Sequence, residues 1–179
     1  MFFIVLFSVL ILYIFICAFI YGTMHNLYVY GGVTSLAAPR RRWIYYLLSF
    51  TWGLPMNIIG CLVALVLLCC GKKPEKYGWN YMFRLPVSFG LELGIFFIAP
   101  KCASDHTKKH ELGHSIQNIY LGPFTIGVVS IPSAVRFWFR EIRTKLGKKN
   151  TTTYDSIWFE GQATNSGDKF MKREKKRED

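Results

Sequence analysis

A chain of 179 residues has room for one domain with an appended segment rather than two independent ones. It is 51% hydrophobic and 17% aromatic against only 18% charged, which excludes a disordered polyelectrolyte and is richer in apolar residues than an ordinary soluble domain. The net charge of +11 flanks apolar segments, so a lipid bilayer with anionic headgroups is the expected partner and nucleic acid is not.

The chain opens with "MFFIVLFSVLILYIFICAFIY", 21 residues without a charged side chain. That is enough helix to cross a hydrocarbon layer roughly 30 Å thick. A secretory signal peptide would have a basic start, a shorter apolar run and a small-residue cleavage site, none of which is present. The second apolar run, Trp43 to Cys70, is 28 residues long and is interrupted by Gly53 and Pro55, so a kink or a break into an interfacial piece and a span is expected. Trp43, Tyr45, Tyr46 and Trp52 crowd its beginning as an interfacial belt would. Arg40, Arg41 and Arg42 cap one end, and Lys72, Lys73 and Lys76 the other.

Two shorter apolar stretches follow, 85–100 with 16 residues and 122–138 with 17. Both are marginal as spans and suit membrane-dipping, interfacial or protein-buried elements; whether they cross the bilayer stays open. The expected fold class is therefore mainly α: an integral membrane protein with two transmembrane helices and short membrane-dipping or interfacial elements around one polar helix. A short strand or extended piece fits near 91–98. The organisation reads as a transmembrane hairpin over 1–70 (helices about 2–21 and 43–70), a membrane-apposed region over 71–167, and a charged, disordered tail over 168–179. Positive charge beyond Cys70 favours the cytoplasmic side for that region, whereas Arg40 to Arg42 argue the opposite way for the preceding loop. The five cysteines form no C-x-x-C pair, and four lie in or beside apolar runs, as small hydrophobes do.

The chemistry concentrates in "DHTKKHELGHSIQNIYLGPF", residues 105–124. His110-Glu111-Leu112-Gly113-His114 fits H-E-x-x-H. Residues four apart lie one turn apart on one helix face, so His110 and His114 can grip a single metal ion. Glu111 lies about 100 degrees further round, where its carboxylate reaches a water at an open metal position. Leu112, Ile116, Ile119 and Tyr120 form an apolar face opposite the histidines. A solvated polar face would carry the same two histidines, and His106, spaced four before His110, adds a second pair that lacks a base. A catalytic zinc needs a third protein ligand and an open position. The downstream acids are Glu141, Asp155, Glu160, Asp168 and the charged tail. Glu160 sits in the aromatic island "TYDSIWFEGQATNSG", which has reason to pack back on the domain.

"KHELGHSIQNIYLGP" followed by "IP" resembles a group of small bacterial membrane proteins, taken to be zinc metallopeptidases, that carry K-H-E-x-G-H-x-x-Q-x-x-x-L-G and end in a Tyr-rich segment with E-x-x-A-D. Tyr154, Ser156, Glu160 and Ala163 stand at matching places. The resemblance covers roughly 85–167 and implies one Zn2+ per chain held by His110, His114 and Glu160, with Glu111 as catalytic base. It also implies a bacterial cell membrane. The charge beyond Cys70 puts the site on the cytoplasmic side, and a location beside the membrane points to a membrane-associated peptide or protein as substrate. In the wider Glu-type zincins an Asp four residues after the ligand Glu orients a histidine. Here that position is Thr164, and Asn165 or Asp168 are the substitutes the sequence offers. Tyr154 and His106 are candidates to stabilise an oxyanion. A non-catalytic membrane adaptor or immunity-type protein with a degenerate motif, and a metal transporter with His106, His110 and His114 as a ladder, are the rival readings.

Overall fold

The computed structural model describes residues 1–178 and is mainly helical. Helix α1 (Phe2–Val29) is apolar throughout, and Phe3–Val29 is the one described helix long and apolar enough to cross a membrane by itself. Its two outward hydroxyls bond back to their own helix, Ser8 to the Ile4 carbonyl and Thr23 to that of Phe19, so neither needs water.

The run from 43 to 70 is not one helix, and a second transmembrane span is not shown. It divides into α2 (Arg42–Phe50) and α3 (Leu54–Cys69), bent by 91° at Thr51 to Gly53. Pro55 stands in the first turn of α3, where its missing N–H costs nothing; inside a continuous helix its ring would clash with the Thr51 carbonyl. Buried Asn57 fixes the corner. Its Nδ2 donates to the carbonyls of Ser49 and Gly53, and its Oδ1 accepts from the Ile95 N–H of the sheet.

That sheet is the largest departure from expectation. Residues 75–100 form four strands, β1 (Glu75–Tyr77), β2 (Asn80–Leu85), β3 (Leu91–Leu93) and β4 (Phe96–Pro100), in the order β1-β2-β4-β3. Strands β2 and β4 are parallel and the outer pairs antiparallel. Both hairpins turn over two residues that begin with a glycine in the left-handed region, Gly78 (φ 58°) and Gly94 (φ 74°). The stretch 85–100 is therefore not helical: it supplies the end of β2, an irregular connection over 86–90, and strands β3 and β4; only its 91–98 portion reads as extended in the sequence. Phe97 and Ala99 are fully buried.

Helix α4 (Asp105–Leu121) begins at Ser104, whose hydroxyl accepts the Thr107 N–H as an N-cap. It ends at Gly122, and after a 3-10 turn and a short π-helical stretch, Ile126–Ser130, the chain continues as α5 (Ile131–Lys145), bent by 117° from α4. Helix α6 (Trp158–Glu178) includes the charged tail, which is helical and docked rather than disordered over its described residues. Phe170 meets the Trp79 ring edge-on at 4.9 Å, Glu174 accepts the Trp79 indole N–H, and Arg173 donates to the Ala38 carbonyl. The charge run hides Phe170, whose burial anchors the helix at roughly 1.5–3 kcal/mol. Residues 31–41 strap across α6, with the Leu36 N–H on Ser166 and the carbonyls of Val33 and Thr34 on Gln162 and Asn165.

Candidate metal centre

Helices α4 and α6 cross at backbone contact, and this crossing builds the site. A Cβ on Gly113 would lie 1.8 Å from the Ala163 carbonyl oxygen, and one on Gly167 would lie 1.8 Å from that of Lys109. The glycine inside H-E-L-G-H and the last glycine of "GQATNSG" are thus the points where the two helices touch. The close approach sets Glu160, in the first turn of α6, against the histidine face of α4. His110, His114 and Glu160 are all buried, Glu160 completely. The face opposite the histidines is buried too, with Leu112, Ile116 and Ile119 packed on Tyr45, Trp79 and Phe170. Tyr120 lies half outside it and donates to the Ala37 carbonyl.

Three donor atoms converge: His110 Nε2 and His114 Nε2 are 3.1 Å apart and lie 3.0 and 3.2 Å from Glu160 Oε2. Ligands held tetrahedrally at about 2.0–2.1 Å from one ion stand about 3.3–3.4 Å from each other, so the triangle needs only slight opening. The outer ring nitrogens set the tautomers. His114 Nδ1 is 2.8 Å from Gln117 Oε1, and Gln117 Nε2 donates to the Phe159 carbonyl and to Gln162, which fixes the amide orientation. His110 Nδ1 is 2.8 Å from Thr164 Oγ1, whose own proton goes to Asp155 Oδ2 at 3.0 Å. Each Nδ1 therefore carries a proton, and each Nε2 of a neutral ring aims a lone pair at the centre. One proton can bridge a single pair of these atoms and leaves the third facing the other two. A metal ion satisfies all three at once. Glu160 Oε1 is buried without a hydrogen-bond partner, as a second carboxylate oxygen beside a cation would be. Burial alone would raise the Glu160 carboxyl, but the two imidazoles beside it, which in the absence of a metal can bring a proton to this oxygen, hold it far below the usual carboxylate range.

Thr164 is thus not a gap in the design. The carboxylate that orients His110 stands one hydroxyl away, on Asp155, and Thr164 relays it. Replacing Thr164 by Val, which keeps the volume and removes the relay, should weaken metal binding about 10–100-fold. Thr164→Asp, which meets His110 directly, should bind as the wild type does. Competition against a chelator reads both, and wild-type affinity in Thr164→Val would refute the relay.

A cavity of about 540 Å³ opens beside the three donors. Its walls include Glu111, Glu92, Tyr154 and His106, with Phe89, which meets Phe137 of α5 edge-on at 5.6 Å, and Trp138 among the apolar lining. Glu111 presses against Gly90, where a Cβ would lie 2.1 Å from Glu111 Oε1. The Tyr154 hydroxyl lies 3.3 Å from Ser133 Oγ, and burial, with the Glu160 carboxylate second, keeps it protonated. His106 is 60% exposed with Nε2 3.5 Å from Asp155 Oδ2, at the cavity rim rather than on the donor triangle. Asn165 and Asp168 lie elsewhere: Asn165 donates to the Thr34 carbonyl and Asp168 pairs with Lys109. Sequence reasoning missed Glu92, a buried acid on the edge strand pushed up to about 8 by burial, and it missed Gln117 as the residue that orients His114. The three-residue step from His114 to Gln117 on one helix face is a signal that could have shown the latter.

Three arginines of α5 hold the loop that supplies Tyr154 and Asp155. Arg136 donates to the carbonyls of Thr153 and Tyr154 and to Ser156 Oγ, Arg140 to the Thr152 carbonyl, and Arg143 to that of Lys149. No protein-family model matches the chain, and neither the curated proteins nor the solved structures include a significant match to it.

Proposed function

We propose that the chain is a membrane-bound, zinc-dependent metallopeptidase that cleaves a membrane-associated peptide or protein, with one Zn2+ per chain. The observation that carries this reading is the convergence of His110 Nε2, His114 Nε2 and Glu160 Oε2 beside a cavity that Glu111 also lines. Two imidazoles and one carboxylate are a donor set suited to zinc with one position left open. Zinc in such a set supplies Lewis acidity, polarising a carbonyl and making water nucleophilic near neutral pH.

The remaining steps belong to side chains. Glu111 accepts a proton from the attacking water as the new C–O bond forms, and passes it to the amine nitrogen as the C–N bond breaks. The protonated Tyr154 hydroxyl, on the same cavity wall, is the donor for charge developing on the carbonyl oxygen. Gln117 and the Thr164–Asp155 pair keep both imidazoles turned inward throughout. The H-E-x-x-H pattern and the resemblance of "KHELGHSIQNIYLGP" to small bacterial membrane peptidases support the same reading, as does a helix able to cross a membrane. A bacterial cell membrane with the site on its cytoplasmic side is the setting that follows.

The test is zinc content of detergent-purified protein. About one zinc per chain is expected in the wild type, with loss in both His114→Ala and Glu160→Ala, since each removes one ligand of three. A wild type that takes up no zinc on reconstitution overturns the proposal and hands the chain to the adaptor reading.

A further inference from the structure

Helix α5 turns a large apolar face outward. Its part-buried arginines 136, 140 and 143 lie along the 149–156 loop, which they clamp. Its outer face carries Val135 (63% exposed), Trp138 (55%), Phe139 (59%) and Ile142 (55%), continued by Ile131 and Leu146. Those six residues recur at three- and four-residue steps, so they form one stripe along the helix. A soluble domain buries such a stripe; here it faces outward.

Helix α1 supplies a depth scale. The Tyr13 hydroxyl donates to the Pro123 carbonyl at 3.0 Å, and a Cβ on Gly127 would lie 2.6 Å from Cys17 Sγ. The bend between α4 and α5 thus lies at the level of Tyr13 to Cys17, which straddle the midpoint of Phe3–Val29 at Ile16. Further along, Tyr21 meets the Trp158 ring at 5.4 Å, and a Cβ on Gly161 would lie 2.5 Å from the Tyr28 hydroxyl. Glu160 is therefore level with residues 21–28, which a rise of 1.5 Å per residue puts about 8–18 Å from the midpoint. The hydrocarbon edge of a bilayer lies about 15 Å from its midplane.

We propose that α4 and α5 form a re-entrant element whose Gly122–Ser130 bend sits near the bilayer midplane. The outer stripe of α5 lies on lipid acyl chains, and the metal-ligand triad lies at the headgroup boundary. Lipid is the occupant that fits, because the stripe is continuous with the span that the bend touches. The only acid on α5 is Glu141, while Lys145, Lys148 and Lys149 gather where the helix ends, suited to anionic headgroups. Trp138 lies on both the stripe and the cavity wall, so a single helix separates the cavity from the bilayer. The inference rests on α1 crossing the membrane and is independent of the chemistry at the triad.

The test uses wild-type protein in vesicles of phosphatidylcholine and phosphatidylglycerol containing a trace of phosphatidylcholine with a photoreactive diazirine on its acyl chain. After irradiation, labelled residues are mapped by mass spectrometry. Labelling of Val135, Trp138, Phe139 and Ile142 at the level seen on the exposed face of α1, and severalfold above that of strands β1 and β2, is the expected result. Label on α1 with none on α5 overturns the proposal and means that a second copy or another protein covers the stripe. Label on neither removes the span and the proposal together. Zinc content, measured on the same sample, reports the peptidase reading separately.

Discussion

Glu111→Gln is expected to lower peptide cleavage by about 10²–10⁴-fold while the metal stays bound. The two halves of this outcome come from different atoms. The three converging donors belong to His110, His114 and Glu160, and Glu111 is not one of them. The substitution exchanges one oxygen for an NH2 group and keeps the shape that Gly90 accommodates. What it removes is an acceptor for the proton of the attacking water, which an amide cannot replace. Cleavage of a mixed synthetic peptide library by the wild type, followed product by product in the variant, gives the rate ratio, and metal analysis of the same sample gives occupancy. Unchanged cleavage would remove Glu111 from the mechanism. Lost metal would mean that the glutamate holds the site rather than working beside it.

Gly113→Ala should be the most damaging change of a single methyl group. The new Cβ would stand 1.8 Å from the Ala163 carbonyl oxygen, a backbone atom with no rotamer to retreat into. The α4–α6 crossing must open, which costs at least the 1–3 kcal/mol or so of an overpacked core. It also moves Glu160 away from two imidazoles that it now approaches at 3.0 and 3.2 Å. Loss of metal together with a lower melting temperature in detergent is the expected pair of readings. Gly22→Ala is the control, since nothing lies within 4 Å of a Cβ there. A Gly113→Ala protein that binds metal and melts like the wild type would show that the close crossing does not set the triad.

How much of this was legible in the sequence follows from which forces are local. The i, i+4 spacing of His110 and His114 is a property of one helix and reads directly. The apolar character of α1 reads directly too, although the helix expected over about 2–21 runs on to Val29 through the polar residues after Tyr21. Glu160 was legible because an aromatic island in polar surroundings must pack somewhere, and Trp158 and Phe159 pack on α1 and on the stretch after α4. The sheet was mostly illegible. Apolar runs of the length of 85–100 carry the same signal whether protein or lipid covers them, and β1–β2 alternates too weakly among its aromatics to announce itself. The break at Gly53 was readable from Pro55, but its consequence, a helix too short to be shown as a second span, depends on Asn57 and on the sheet that it grips. The Thr164 relay needed three dimensions, because Asp155 lies nine residues before its partner and on a different element.

The arginine clamp has a mechanical meaning. Arg136, Arg140 and Arg143 tie α5 to the backbone carbonyls of the loop that carries Tyr154 and Asp155, each through short bonds to groups that cannot swing aside. An unbroken run of contacts therefore links α5 to the metal-ligand triad: from its arginines to the loop backbone, from Asp155 in that loop to Thr164, and from Thr164 to the His110 ring.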